Sequence, residues 1–220
     1  MSDLRIVPWS GSLSAVSGDG SWTGHQGTRD GAAFMADWME KLALMGRVFH
    51  AANGSVTTPL TFLVTAANRP DAWIRVPSGT SILPLKVNYA LEAYAGTAPE
   101  LALRVAENDI GNATSTAATA GPRGSRTDNP LTSNCTVRHL ATGDATAETN
   151  PISIFRRTIA AAEAAGNDFA GSGVITREMM GYPGLVGPAS LILYIAATTT
   201  QATGFVMWSW AEVPTAQLVS

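Results

Sequence analysis

Lysine, cysteine and charge of either sign are scarce in these 220 residues. The single cysteine, Cys135, excludes an intrachain disulfide and suits synthesis in a reducing compartment. Lysine stands only at Lys41 and Lys86, so the basic side chains are nearly all arginine. Asp, Glu, Lys and Arg together make 14% of the chain, where an average soluble domain has about 25%. A surface that poor in charge is either unusually neutral or partly covered by partners. The net charge of −3 and the absence of any basic run exclude the electrostatic footprint of a nucleic-acid binder. No apolar run approaches the roughly 18 residues that a membrane-crossing helix needs. The opening "MSDLRIVPWSGSL" is broken by charges, Pro8 and Gly11 before a signal-peptide core develops.

Chemistry-bearing constellations are missing too. His25, His50 and His139 lie far apart and show no zinc-ligand spacing, so no metal is expected. There is no G-x-S-x-G elbow, phosphate loop, G-x-G-x-x-G or Asp-rich calcium loop, so no cofactor is expected. Cys135 and His139, four residues apart on one expected strand, would sit about 13 Å apart at roughly 3.3 Å per residue. That is too far for a nucleophile and its base. Glu100, Glu107 and Asp109 read as a solvated strand end rather than an acid/base pair. The expectation is a chain that catalyses nothing.

What is present is strand pattern. Residues 1 to 45 read as an extended Gly/Ser-rich arm followed by one short amphipathic helix. Trp9 and Trp22 are the arm's expected anchors, since buried aromatic side chains dock a segment with no core of its own. Phe34, Trp38, Leu42 and Met45 recur at helical spacing from Gly31 to Met45, with Asp30 as N-cap and Gly46 as stop. From Gly46 the period becomes two. "RVFHAA", "PLTFLVTA", "AWIRV", "SILPLKVNYALEAYA", "ELALRVAE", "CTVRHLA" and "ISIFRRTIA" are expected strands, although the last could extend into a helix. Gly96 to Pro99 reads as a hairpin loop, and 108–134 and 166–188 as two long loops.

The closing "SLILYIAATTTQATGFVMWSWAEVP" reads as a hairpin whose second strand is apolar on both sides. Phe205 and Met207 point one way; Val206, Trp208 and Trp210 point the other. One side must fill the core, and Val206, Trp208 and Trp210 are expected at a subunit interface. Trp73, Trp208 and Trp210 are also the candidate sugar platforms of a glycan-binding alternative. About nine short strands without crossover helices imply an all-β fold, a jelly-roll β-sandwich over 46–214 with a C-terminal tail at 215–220.

The strand run from Gly46 to Pro214, the closing "GFVMWSWAEVP" and the Ala/Thr/Gly loops resemble the structural proteins of bacteriophage virions. The likeness is to capsid decoration proteins that form homotrimers with a tumour-necrosis-factor-like jelly roll. It implies a non-enzymatic capsid-stabilising protein made in the host cytoplasm and located in the virion. Its partners would be copies of itself and neighbouring capsid proteins, without nucleic acid or membrane. A single-jelly-roll major capsid protein and a receptor- or glycan-binding tail-fibre module are the alternatives; a jelly-roll enzyme would need a histidine and carboxylate cluster that the sequence lacks.

Overall fold

The computed structural model describes residues 6–8, 25–27, 38–62, 69–93, 99–111, 115–128, 131–140, 145–159, 171–196 and 201–215. The expected helix is seen as α1, Trp38–Leu44, while its earlier residues and Asp30 lie outside the described ones. Gly46 stops it: with φ at 71° its N–H donates to Ala43 O and the N–H of Arg47 to Leu42 O, both at 2.9 Å. This double closure needs a left-handed residue, which glycine supplies without steric cost. Two short strands, β1 (Ile6–Pro8) and β2 (His25–Gly27), pair in parallel upstream of the helix.

Among the described residues after Gly46, regular structure is almost all strand. In chain order the elements are β3 (Val48–Asn53), β4 (Leu60–Thr61), β5 (Ala72–Val76), β6 (Thr80–Ala93), β7 (Glu100–Ala106), β8 (Ser115–Ala117), β9 (Ala120–Gly124), β10 (Thr136–Leu140), β11 (Ile152–Thr158), β12 (Gly173–Thr176), β13 (Leu185–Val186), β14 (Ala189–Ala196) and β15 (Thr203–Pro214). They build an all-β sandwich of two antiparallel sheets. One follows the order β12-β6-β15-β3-β9, with β13 on β6 and β4 on β15; the other is β11-β7-β14-β5-β10-β8. Pairing is nested: β3 with β15, β5 with β14, β6 with β12, β7 with β11.

Nesting corrects two expected hairpins. β14 and β15 do not pair, nor do β6 and β7; each couple is split between the sheets. A period of two tells which residues face a core, but both sheets face the same core, so the pattern is blind to which sheet a strand joins. Two further corrections concern the expected loops. The segment 108–134 contains β8 and β9, and 166–188 contains β12 and β13. Apart from Arg123, β8 and β9 carry only Ser, Thr, Ala, Gly and Pro; they stay mostly exposed and are held by backbone pairing to β10 and β3. Such edge strands leave no apolar signature. Of "ISIFRRTIA", Ile152–Thr158 form strand β11 at a sheet edge, with a bulge between Ser153 and Phe155; the helical alternative past Ile159 lies outside the described residues.

The alternation in β6 and β7 places Val87, Tyr89, Leu91, Leu101 and Leu103 in the core, as their spacing predicts. Leu85 stays only half-buried: the register of β6 against β15 jumps from Lys86↔Ser209 to Pro84↔Trp210, and past this bulge Ile82 takes up the inward row. Opposite them lie Ile74, Leu191 and Leu193 from the second sheet. Each such side chain contributes about 1.5–3 kcal/mol on burial. Gly204 lets β15 lie close to β6, for a Cβ there would stand 2.1 Å from Ala90 O.

Candidate functional site

Val206, Trp208 and Trp210, expected at a subunit interface, are instead buried in the chain's own core at 0%, 1% and 0% exposure. The interface assignment is therefore corrected: these side chains have no surface left to offer a partner. Trp210 stacks on Phe49, with ring centroids 6.2 Å apart. Trp208 enters the core with its Nε1 donating to Asn53 Oδ1 at 2.9 Å. The physical reason is size, because the largest side chains of a two-sided apolar strand gain most by facing the opposite sheet. Trp73 is buried as well, so none of the three tryptophans weighed as sugar platforms presents a face. Trp9 and Trp22 lie outside the described residues.

The two sheets differ in how their outer faces are finished. Over the β5–β14–β7 region, residues 107–111 and 145–150 form a flap. Glu107 N–H donates to Thr149 O at 3.0 Å, Asn108 Nδ2 to Ala147 O at 2.8 Å and Thr146 N–H to Ile110 O at 3.0 Å. Its Ile110 and Ala145 close with Trp73, Ala106 and Ile192 of the sheet beneath into a second apolar cluster. Tyr194 donates its hydroxyl to Glu148 Oε1, with the Arg104 guanidinium 4.9 Å from the ring centroid. Burial and the neighbouring carboxylate push the Tyr194 phenol well up from its usual range. This face is closed by the chain itself.

The outer face of the other sheet carries no such flap among the described residues. Register places Val174, Asn88, Met207, Ala52 and Ala120 in one row across β12, β6, β15, β3 and β9. Phe205 and Ala90 stand beside it. Met207 is 45% and Val174 44% exposed. The next row toward the other strand ends is polar, running Thr176, Lys86, Ser209, His50 and Arg123. In it His50 Nδ1 lies 2.9 Å from Ser209 Oγ and Nε2 2.8 Å from Ser125 Oγ. Parity along β15 made this face legible as the alternative to the tryptophan side; its identity as the outer one was missed.

Both strand histidines are held neutral. Trp208 Nε1 is only a donor, so Asn53 must turn Oδ1 toward it and Nδ2 toward His139, whose Nδ1 accepts at 3.3 Å. A protonated His139 would place a donor against a donor, and its burial lowers its pKa. The His50 pKa is lowered by burial first and by Lys86 second. A base with a depressed folded pKa binds its proton less well folded than unfolded. Stability is therefore full above the unfolded value of 6.5 and is lost as pH falls below it through the folded pKa. The thermal midpoint is expected to drop between pH 7 and pH 5, and the His50→Gln, His139→Gln double variant to flatten that drop. An equal slope in both proteins would sink the assignment.

Cys135 is buried, and its thiol is pushed well up by burial and by Glu212. Among the described residues no group of three or more His, Cys, Asp or Glu could hold a metal ion. No helix among them is long and apolar enough to cross a membrane. Comparison with protein-family models, with curated proteins and with solved structures finds no match for this chain.

Proposed function

We propose that the chain is a non-enzymatic virion structural protein, a homotrimeric capsid decoration or stabilising protein built on a jelly roll. The observation that carries this reading is the nested pairing. Taking β3, β5, β6, β7, β11, β12, β14 and β15 as the eight principal strands, the first pairs with the last, the second with the seventh, the third with the sixth and the fourth with the fifth. Rolling one long antiparallel ribbon into two layers produces this order, with two interlocked Greek keys. The sheets then read first-eighth-third-sixth and second-seventh-fourth-fifth. Virion shells use such sandwiches as rigid bricks whose faces and edges are left for neighbours, and a chain of 14% charge with Met207 and Val174 exposed on one sheet face suits that use.

The role is to add buried area across capsid contacts, so its effect should be on the particle and not on any substrate. Particles assembled without the protein are expected to rupture several degrees below particles that carry it, and adding the purified chain back should restore the difference. Equal heat tolerance with and without it would overturn the reading. A shift of DNA by the purified chain at low salt would also count against it, by moving the protein to the genome side of the shell.

A further inference from the structure

We propose that Lys86 and Arg123 form an oxyanion-binding site on the outer face of the β12-β6-β15-β3-β9 sheet, closing over Ser209 and His50 on a phosphate or sulfate group. The inference stands apart from the virion reading, because every side chain it uses belongs to one chain.

Four neighbouring strands put Lys86, Ser209, His50 and Arg123 in one row, with Lys86↔Ser209, Ser209↔His50 and His50↔Arg123 as register partners. Lys86, His50 and Arg123 are all exposed. Ser125, two residues on from Arg123, reaches the His50 ring with its hydroxyl, so strand parity puts Arg123 on the His50 side of the sheet. The Lys86 ammonium acts on the same ring: after burial, it is the second cause that lowers the His50 pKa. Neither Lys86 nor Arg123 makes an ion pair among the described residues, whereas Arg75, Arg104, Arg126 and Arg156 each make one. The next row, Val174, Asn88, Met207, Ala52 and Ala120, carries no charge to neutralise them. Of the acids that follow these strands, Glu178 is engaged by Thr176, and Asp128 by Arg126 at 2.7 Å and 2.9 Å. In a chain with 17 Asp and Glu against 14 Lys and Arg, the row is a local excess of positive charge.

Two hydroxyls settle the tautomer of the histidine between the cations. Ser125 Oγ donates to Val48 O at 3.2 Å, so it accepts from His50 Nε2–H, and His50 Nδ1 is left to accept from Ser209 O–H. The imidazole is therefore neutral and fully bonded, a fixed polar floor with the positive charge at its two ends. Across three strand spacings of about 4.8 Å the backbones of Lys86 and Arg123 stand about 14 Å apart, a span that two long side chains close from opposite ends. An anion between them takes a point charge from the ammonium and paired N–H donors from the guanidinium fork, which suits the oxygens of a phosphate or sulfate. Two cations are too few for a nucleic-acid backbone, which needs several on one face. Because Lys86 lowers the His50 pKa, an anion that neutralises Lys86 lifts it again, and a proton on His50 in turn strengthens anion binding. The site is open to water, so a single ion binds weakly. A sulfate or phosphate carried on a larger molecule gains further contact with Met207 in the adjoining row.

Titration of the full chain with sodium sulfate or sodium phosphate tests the site, followed by NMR of the histidine rings at an ionic strength held constant with chloride. Saturable shifts are expected at His50 and none at the buried His139, and the His50 pKa should rise when sulfate is present. Lys86→Gln and Arg123→Gln should each weaken binding at least about tenfold, as loss of a charge-assisted contact does. Both residues are exposed, so the variants keep the fold, which circular dichroism checks. A sulfated oligosaccharide separates the two sources of the group. Binding tighter than that of inorganic sulfate assigns the site to an ester on a larger molecule, and equal affinity per sulfate assigns it to the free ion. Shifts that do not saturate, that match those of chloride alone, or that persist undiminished in the Lys86→Gln, Arg123→Gln double variant would overturn the site. Whether particles need the protein is decided by the heat test above, so the two readings can fail separately.

Discussion

Replacing Glu212 by alanine is expected to destabilise the fold by about 3–5 kcal/mol, since it leaves several buried donors unpaired at about 1–3 kcal/mol each, with water entry offsetting part. Glu212 is 5% exposed. Its Oε1 accepts from Ser133 Oγ, from Trp210 Nε1 at 3.0 Å and from Cys135 N–H at 3.4 Å; its Oε2 accepts from Asn134 N–H at 3.0 Å. One carboxylate thereby ties the 133–135 segment to the last strand and orients a core tryptophan. Glutamine at this position keeps one oxygen but turns an NH₂ toward the N–H of Asn134, so it should recover only part of the loss. Urea denaturation of the two variants beside wild type checks this. A loss below about 0.5 kcal/mol, typical of surface substitutions, would show that the carboxylate is not the clamp the geometry makes it.

Glu212 was visible in the sequence as the single charge between Ser190 and Pro214, but nothing there said that its partners lie some 80 residues upstream. The same limit runs through the fold. β5, β6 and β7 could be read to within a residue or two, because each has large apolar side chains at alternate positions between turn residues. β8 and β9 could not, because hydrogen bonding to β10 and β3 holds them and small side chains record none of it. The flap over Trp73 was equally silent. It is made of backbone and short polar contacts such as Asn108 with Ala147 and Thr149. The candidate interaction face sits between these cases: parity along β15 divided its residues correctly into two sets, and only the opposite sheet decides which set is inside.

That division yields the sharpest contrast between neighbouring residues. Trp208→Ala is expected to cost about 3–5 kcal/mol, the range for removing a large aromatic side chain from a packed core. It also strips Asn53 Oδ1 of its donor in a site where Asn53 itself is 0% exposed. Asn53 belongs to β3 and its other partner, His139, to β10 of the facing sheet, so the change loosens a polar link between the two layers as well as their apolar contact. Met207→Ser, one residue away on the outer face, removes a side chain that is 45% exposed and should stay within about 0.5 kcal/mol of wild type in the unassociated chain. Urea midpoints of the two variants beside wild type measure the contrast. Equal destabilisation by both variants would mean that the two sides of β15 are equally buried. A neutral Trp208→Ala beside a costly Met207→Ser would mean that the strand is turned over and that the tryptophans face a partner after all.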